Sequence, residues 1–297
     1  MSIERNELFR ELAAIFRACE GNVVPEDKAL EGCAGLVMYE EPLFGVSSAD
    51  DALYTEYKKD GVIGSMFMGP EEWLPGAKSV VSFFLPFTER VRASNRSGRS
   101  DTTGDASNRN SQSDTSPEWL HARIEGQAFL NSFAEKIREY FESQGEKACV
   151  PSLDERFGIT FKALAAGDPE GVHINSRWSE RHAAYVSGLG TFCLTRGLIS
   201  AKGVAGRYGS VIVTQKIEPD ERPYTGIYDY CINCGACIAK CPAGAISLEH
   251  GKNRLLCREW VESTKKRYVP RYGCGKCQVG VPCENRIPGS RINAAER

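Results

Sequence analysis

CINCGACIAKCPAGAI, residues 231–246, places Cys231, Cys234, Cys237 and Cys241 at C-x2-C-x2-C-x3-C, with Pro242 directly after the last cysteine. Thiolates this closely spaced reach separate irons of one [4Fe-4S] cube, and the run is the spacing used by small two-cluster electron carriers. In those carriers the fourth cysteine ligates the other cube, so the run implies a second cluster elsewhere in the chain. Zinc knuckles also use C-x2-C pairs, but they gather four ligands around one ion. A third cysteine three residues on, and a fourth followed by proline, suit a cubane better.

Downstream lie Cys257, Cys274, Cys277 and Cys283, which brings the candidate ligands to the eight that two cubanes need. By the crossed-over pattern of bacterial ferredoxins, Cys231, Cys234 and Cys237 are expected to bind one cluster, closed by Cys283. Cys241, Cys257, Cys274 and Cys277 are expected to hold the other. The second half does not repeat the first motif. CGKCQVGVPC gives C-x2-C-x5-C, and Cys257 stands alone in NRLLCREWVESTKKR, a stretch of helical character. Of the remaining cysteines, Cys19, Cys33 and Cys149 read as small core residues, while Cys193 lies in a glycine-rich loop and is open to either role.

The 297-residue chain has a net charge of −2 and is 41% hydrophobic, so it carries a proper core and no polyelectrolyte partner is implied. MSIERNELFR lacks an apolar h-region, and no 18-residue apolar run occurs, so neither a secretory signal nor a membrane span is expected. Twelve cysteines without an export signal point to a reducing compartment, the cytoplasm. From Lys252 onward lysines and arginines outnumber acids. These charges either offset the anionic clusters or form a docking face for an acidic electron donor, reduced ferredoxin or flavodoxin.

Residues 3–20 have the period of an amphipathic helix, with Leu8, Leu12, Ile15, Phe16 and Cys19 on one face. SVVSFFLPF, residues 79–87, reads as a buried strand. Residues 89–116 read as a polar loop, either solvated or ordered over a ligand. Ser116 and Pro117 then open a long helix that Gly145 stops. Further strands are expected near residues 149 and 210, and the composition changes near residue 222. The expected class is α+β: an N-terminal α/β cofactor-binding domain, 1–222, followed by a ferredoxin-like double-cubane domain, 223–297.

The order LPGAKSVVSFFLPF, then INSRWSERHAAYVSGLGTFCLTRGLIS, then CINCGACIAKCPAGAI and GCGKCQ resembles the epoxyqueuosine reductase family, relatives of the catalytic part of reductive dehalogenases. The resemblance spans roughly residues 60 to 285. It implies a cytosolic enzyme with base-off cobalamin in the N-terminal domain, reduced through the two clusters. The chain departs from the family in three places. Asn175-Ser176 stands where the family has an aspartate-serine pair, and an asparagine cannot donate a carboxylic proton. The W-x-G-K after GLG is replaced by Thr191 to Gly197, and the last cysteine spacing differs. Epoxyqueuosine reduction is therefore not expected, tRNA is not the expected partner, and the chain reads as a divergent branch.

On that footing Tyr185 and His182 are the expected proton donors, with Arg181 one turn from Tyr185 as the cation that lowers its pKa. The same helix also reads as an ordinary surface network of Arg177, Glu180 and Arg181. Gly188 and Gly190 of the GLG loop, with Arg196, are the expected cofactor contacts, and Arg207 is a further cation near glycines. The expected function is to pass electrons through two [4Fe-4S] clusters to a cobalamin that reduces a small molecule of unknown identity. The alternative is an electron-transfer or corrinoid-activating protein, acting on a corrinoid-protein partner with no small-molecule substrate of its own.

Overall fold

A computed structural model of the chain describes residues 4–97 and 114–289. Its centre is the strand β2 (Ser79–Pro86), buried along its whole length. β2 pairs antiparallel with β1 (Leu43–Ser48) and with β8 (Gly206–Val213), and the two-residue strand β3 (Ala148–Cys149) lies beyond β8. A strand covered on both faces needs no polar alternation, which is why residues 79–87 read as a continuous apolar run.

One face presents Val81, Phe83 and Leu85 of β2, with Val211 and Val213 of β8, to two helices. These are α1 (Arg5–Ala18), through Leu8, Leu12 and Phe16, and α5 (Pro117–Ser143), through Phe129, Phe133, Ile137 and Phe141. Ser116 caps α5 by accepting from the Trp119 N–H at 3.2 Å, and Pro117 needs no partner in the first turn. Phe133 is fully buried, with ring centroids 5.0 Å from Phe83 and 5.4 Å from Phe16. Phe133→Ala is expected to cost about 3–5 kcal/mol, because the aromatic cluster cannot collapse into the space. Urea unfolding checks it.

The other face, Val80 and Ile212, meets Ala183 and Val186 of α6 (Glu180–Val186). Tyr54 of α2 (Ala52–Glu56), Trp73 of α3 (Pro70–Trp73) and Trp178 complete that layer. Two hairpins flank α6: β4 (Ile159–Ala163) with β5 (Val172–Ser176), and β6 (Gly190–Phe192) with β7 (Leu198–Ser200). The cysteine-rich stretch adds α7 (Ala236–Ala239), the short hairpin of β9 (Ile246–Ser247) with β10 (Gly251–Lys252), and α8 (Arg254–Arg267).

Two expectations are corrected. All the strand pairs in the N-terminal part are antiparallel, so it is not an α/β unit of parallel strands, although helix and sheet are mixed as an α+β class requires. Residues 89–116 are not simply a polar loop. Glu89–Ser97 form α4, in which Arg92 and Asn95 are buried, and Thr115 and Ser116 are buried as well. The polarity misled because these side chains bond inward to the cysteine-rich stretch rather than to water. The rest of that expected loop, residues 98–113, lies outside the described residues.

Candidate metal centres

Two short turns of the same shape present four of the cysteines. Cys234-Gly235-Ala236-Cys237 bends at Gly235, φ 71°, and runs into α7. Cys274-Gly275-Lys276-Cys277 bends at Gly275, φ 72°, and runs into a 3-10 turn, Lys276–Gln278. Only glycine takes this left-handed backbone without a steric penalty. A Cβ on Gly275 would also lie 2.0 Å from the indole of Trp119. The two turns pack on each other. They are an internal repeat, C-G-x-C at 234 and at 274, which sequence reasoning passed over because it compared whole four-cysteine motifs.

The eight expected ligands lie around these turns. Cys231, Cys234, Cys237 and Cys283 line one pocket of about 340 Å³, walled by Leu194, Ile199 and Val281. Cys274 and Cys277 stand with Cys257 and Cys241: charges on Cys277, Cys257 and Cys241 bear on the Cys274 thiol, and those on Cys257 and Cys241 bear on Cys277. Cys257 sits in the first turn of α8, whose N-cap Asn253 accepts from the Leu256 N–H at 3.0 Å. Burial, with neighbouring thiolates adding, pushes Cys237 up to about 12. Burial likewise raises Cys274 to about 11, against a hydrogen bond from the Lys276 backbone. Thiols crowded into poorly solvated ground ionise only against a strong countercharge, which the irons of a cubane supply. Among the described residues no three Cys, His, Asp or Glu converge on a single-ion site. Cubane ligands need not converge, because each thiolate ends on a different iron. The residues present fit two cubanes.

Cys193 is the fifth cysteine of the first pocket. It is buried, and its Sγ lies 3.1 Å from Thr195 Oγ1 and 3.4 Å from the Gly197 carbonyl oxygen. As a thiol, Cys193 donates to the Gly197 carbonyl, which suits a role beside the cluster with Cys283 as the ligand.

Residues outside the cysteine motifs hold this stretch to the body. Asn95 of α4 donates through Nδ2 to the Cys274 carbonyl at 2.9 Å and accepts from the Ser116 N–H at 3.2 Å. Lys276 is buried, and its Nζ donates to the Asn95 carbonyl at 3.0 Å. Buried Glu284, next to Cys283, accepts from Arg96 at 2.5 Å and from the Gly280 N–H at 2.7 Å. Arg271 is bidentate on Glu125, with contacts of 2.5 Å to Oε1 and 3.2 Å to Oε2. Of the cations expected to form a docking face, Arg271 and Lys276 are buried and Arg254 bonds Glu170 at 3.1 Å, while Arg258, Lys265, Lys266, Arg267 and Arg286 are exposed. Arg291 and Arg297 lie outside the described residues.

The expected catalytic and cofactor residues behave differently from expectation. His182 stacks on Phe192 with its Nδ1 2.7 Å from Ser179 Oγ. Burial, reinforced by Arg181 and Arg254, pushes it down to about 3, so it stays a neutral imidazole and offers no imidazolium acid. Tyr185 is buried against Tyr224 and Phe192. Burial raises its pKa, and the cation that opposes this is Arg222, not Arg181. Arg181 is exposed.

A Cβ on Gly188 would meet the Glu221 carbonyl at 2.8 Å, and one on Gly190 the Ile199 carbonyl at 2.0 Å. Both glycines therefore serve close packing within the chain. Arg196 donates to Glu170 at 2.6 Å and to the Lys252 carbonyl at 3.2 Å, and Arg207 to Gln127 at 2.6 Å. The groups expected to hold a corrinoid thus each make contacts within the chain. Asn175 Oδ1 faces His173 Nε2 at 3.2 Å.

Glu180 is the titratable group that sequence reading took for a surface residue. Its Oε2 accepts from Ser210 Oγ at 2.5 Å, while its Oε1 is buried without a partner. Burial raises its pKa from 4.5 to about 7, with the Ser210 bond opposing. A carboxyl whose folded pKa exceeds its unfolded value binds a proton more tightly when folded. Stability is therefore lost as pH rises from about 4.5 through 7, by roughly 3 kcal/mol in all. Glu180→Gln is expected to flatten that slope and to be the more stable protein at pH 8. Urea unfolding at pH 5 and pH 8 checks it.

Residues 224–247 match the family described as a 4Fe-4S binding domain. Among curated proteins no match was found. Similar solved structures are epoxyqueuosine reductases and reductive dehalogenases. The epoxyqueuosine reductase of Bacillus subtilis is 16% identical with a TM-score of 0.47, over 94% of this chain and 66% of that one. An epoxyqueuosine reductase with an epoxyqueuosine-modified tRNA-Tyr stem loop is 16% identical with a TM-score of 0.49, over the same shares. A catabolic reductive dehalogenase is 13% identical with a TM-score of 0.48, over 96% of this chain and 37% of that one. The chain thus spans just under two thirds of the epoxyqueuosine reductases it is similar to and little more than a third of the dehalogenase. Among the described residues no helix is long and apolar enough to cross a membrane.

Proposed function

We propose that the chain is an iron-sulfur oxidoreductase of the cytoplasm that binds two [4Fe-4S] clusters and passes electrons through them one at a time. What supports this is a reading of the eight cysteines as two sets of four, in which the first set lines one pocket and the charges of the other three bear on Cys274 in the second. Cys231, Cys234, Cys237 and Cys283 form the first, and Cys241, Cys257, Cys274 and Cys277 the second. Two packed C-G-x-C turns bring the sets together, and Cys241 crosses from the first motif to the second set. The match of residues 224–247 to a 4Fe-4S binding domain supports it.

The donor is a small reduced carrier, ferredoxin or flavodoxin. It docks where the first pocket reaches the surface, at exposed Cys234 and Ile232. The acceptor lies beside α6 or on a partner protein. Cobalamin is the acceptor that the sequence resemblance implies, but Gly188, Gly190 and Arg196 are spent internally. That observation favours delivery to a partner, which includes another protein's corrinoid.

Anaerobic reconstitution with iron and sulfide, followed by titration with hydroxocobalamin, tests both parts. About eight irons per chain are expected, with no cobalamin bound at micromolar levels. About four irons would refute the two-cluster assignment. A bound cob(II)alamin EPR signal would restore the corrinoid acceptor.

A further inference from the structure

The two C-G-x-C turns differ at one position. The first carries Ala236 and the second carries Lys276. Lys276 is 2% exposed, and its Nζ bonds only a backbone carbonyl, that of Asn95. Among the described residues it forms no ion pair. A buried ammonium is costly unless an anion stands beside it, and the charged group that bears on Lys276 most is Cys274, followed by Lys240, which opposes its charge, and Asp114, which favours it. Lys252 repeats the pattern. Its side chain has no hydrogen bond or ion pair among the described residues, and burial that disfavours its charge is outweighed by Cys277 and Cys257. The first pocket has the opposite character: Leu194, Ile199, Ile232, Val281 and Pro282 line it, with no lysine or arginine.

We propose that the clusters are inequivalent, and that Lys276, with Lys252, makes the Cys241–Cys257–Cys274–Cys277 cluster the one that takes and keeps the electron. This rests on the two-cluster function proposed above. The step is a one-electron reduction by the external low-potential carrier: an oxidised cubane gains one negative charge, and no bond is made or broken. A fixed cation nearby stabilises the reduced cube more than the oxidised one and raises its potential. The first cluster, in apolar walls, relays the electron. Lys276 and Lys252 are positioning charges, not ligands.

The test is an EPR-monitored redox titration of the reconstituted full chain. Two separated steps are expected, the higher belonging to the signal that Cys257→Ser abolishes. Lys276→Ala, and independently Lys252→Gln, should lower only that step. The electron-sharing equilibrium between the clusters is expected to shift at least tenfold, about 59 mV for one electron. Lys252→Gln decides the matter if Lys276→Ala does not fold. Coincident steps in the native chain would overturn the inference, as would unmoved steps in the variants or movement of the other step. With about eight irons bound, those outcomes leave the two-cluster function standing. About four irons would overturn both.

Discussion

Cys257→Ser is expected to halve the iron of the reconstituted protein, from about eight atoms per chain to about four, and to remove one of two EPR signals. Cys257 belongs to neither C-G-x-C turn, so its loss leaves the backbone of both intact. It sits in the first turn of α8, fixed by the Asn253 cap, and its charge bears on Cys274 and Cys277. A cubane bound by three thiolates with one open corner is labile, and serine is a poor substitute for a thiolate. Cys283→Ser should remove the other signal. Cys193→Ser should keep all the iron, because a serine hydroxyl can donate to the Gly197 carbonyl as the thiol does. Iron analysis of the three variants checks the assignment. Full iron in Cys283→Ser with loss in Cys193→Ser would reverse the choice between those two.

Glu284→Ala should destabilise the protein by about 3–5 kcal/mol, the range for breaking a buried ion pair from one side. Glu284 has 7% of its side chain exposed and serves Arg96 at 2.5 Å, Arg92 at 3.6 Å and the Gly280 N–H at 2.7 Å. Its removal leaves the Gly280 N–H without its acceptor, and leaves Arg92, itself buried, and Arg96 one carboxylate short, with Glu89 and Glu40 remaining. The backbone effect adds to this. The Cys283 and Glu284 carbonyls accept from the Val204 and Ala205 N–H groups at 2.9 and 3.1 Å. The same substitution should therefore loosen Cys283 and speed loss of the first cluster. Glu284→Gln keeps an acceptor for Gly280 and should lose less. Anaerobic urea unfolding, with the cluster absorbance followed in parallel, checks both. A loss under about 1 kcal/mol would mean that this pair is no stronger than a surface bridge.

Much of the scaffold was legible in periodicity. Leu8, Leu12 and Phe16 mark α1, the Ser116-Pro117 start and Gly145 stop bracket α5, and the unbroken apolar run at 79 marks β2. Each signal is local, set by the helical repeat or by burial on both faces. The residues bracing the cysteine-rich stretch were not legible. Asn95, Arg92 and Arg96 sit in a segment as polar as any solvated loop, and only contacts with Cys274 and Glu284, nearly two hundred residues on, make it a helix with a buried face.

The candidate site divides the same way. Spacing alone selected the eight cysteines, because thiolate chemistry and cubane size constrain sequence separation directly. What the other polar residues do was decided by tertiary structure. A glycine reads alike whether it cradles a cofactor or lets Ile199 approach, and a histidine reads alike whether it is an acid or a neutral ring pressed against Phe192. Gly190, His182 and Glu180 took their roles from what was packed around them. Burial and neighbouring charge set the pKa of a side chain, and both arise from chain segments that meet only when the protein folds.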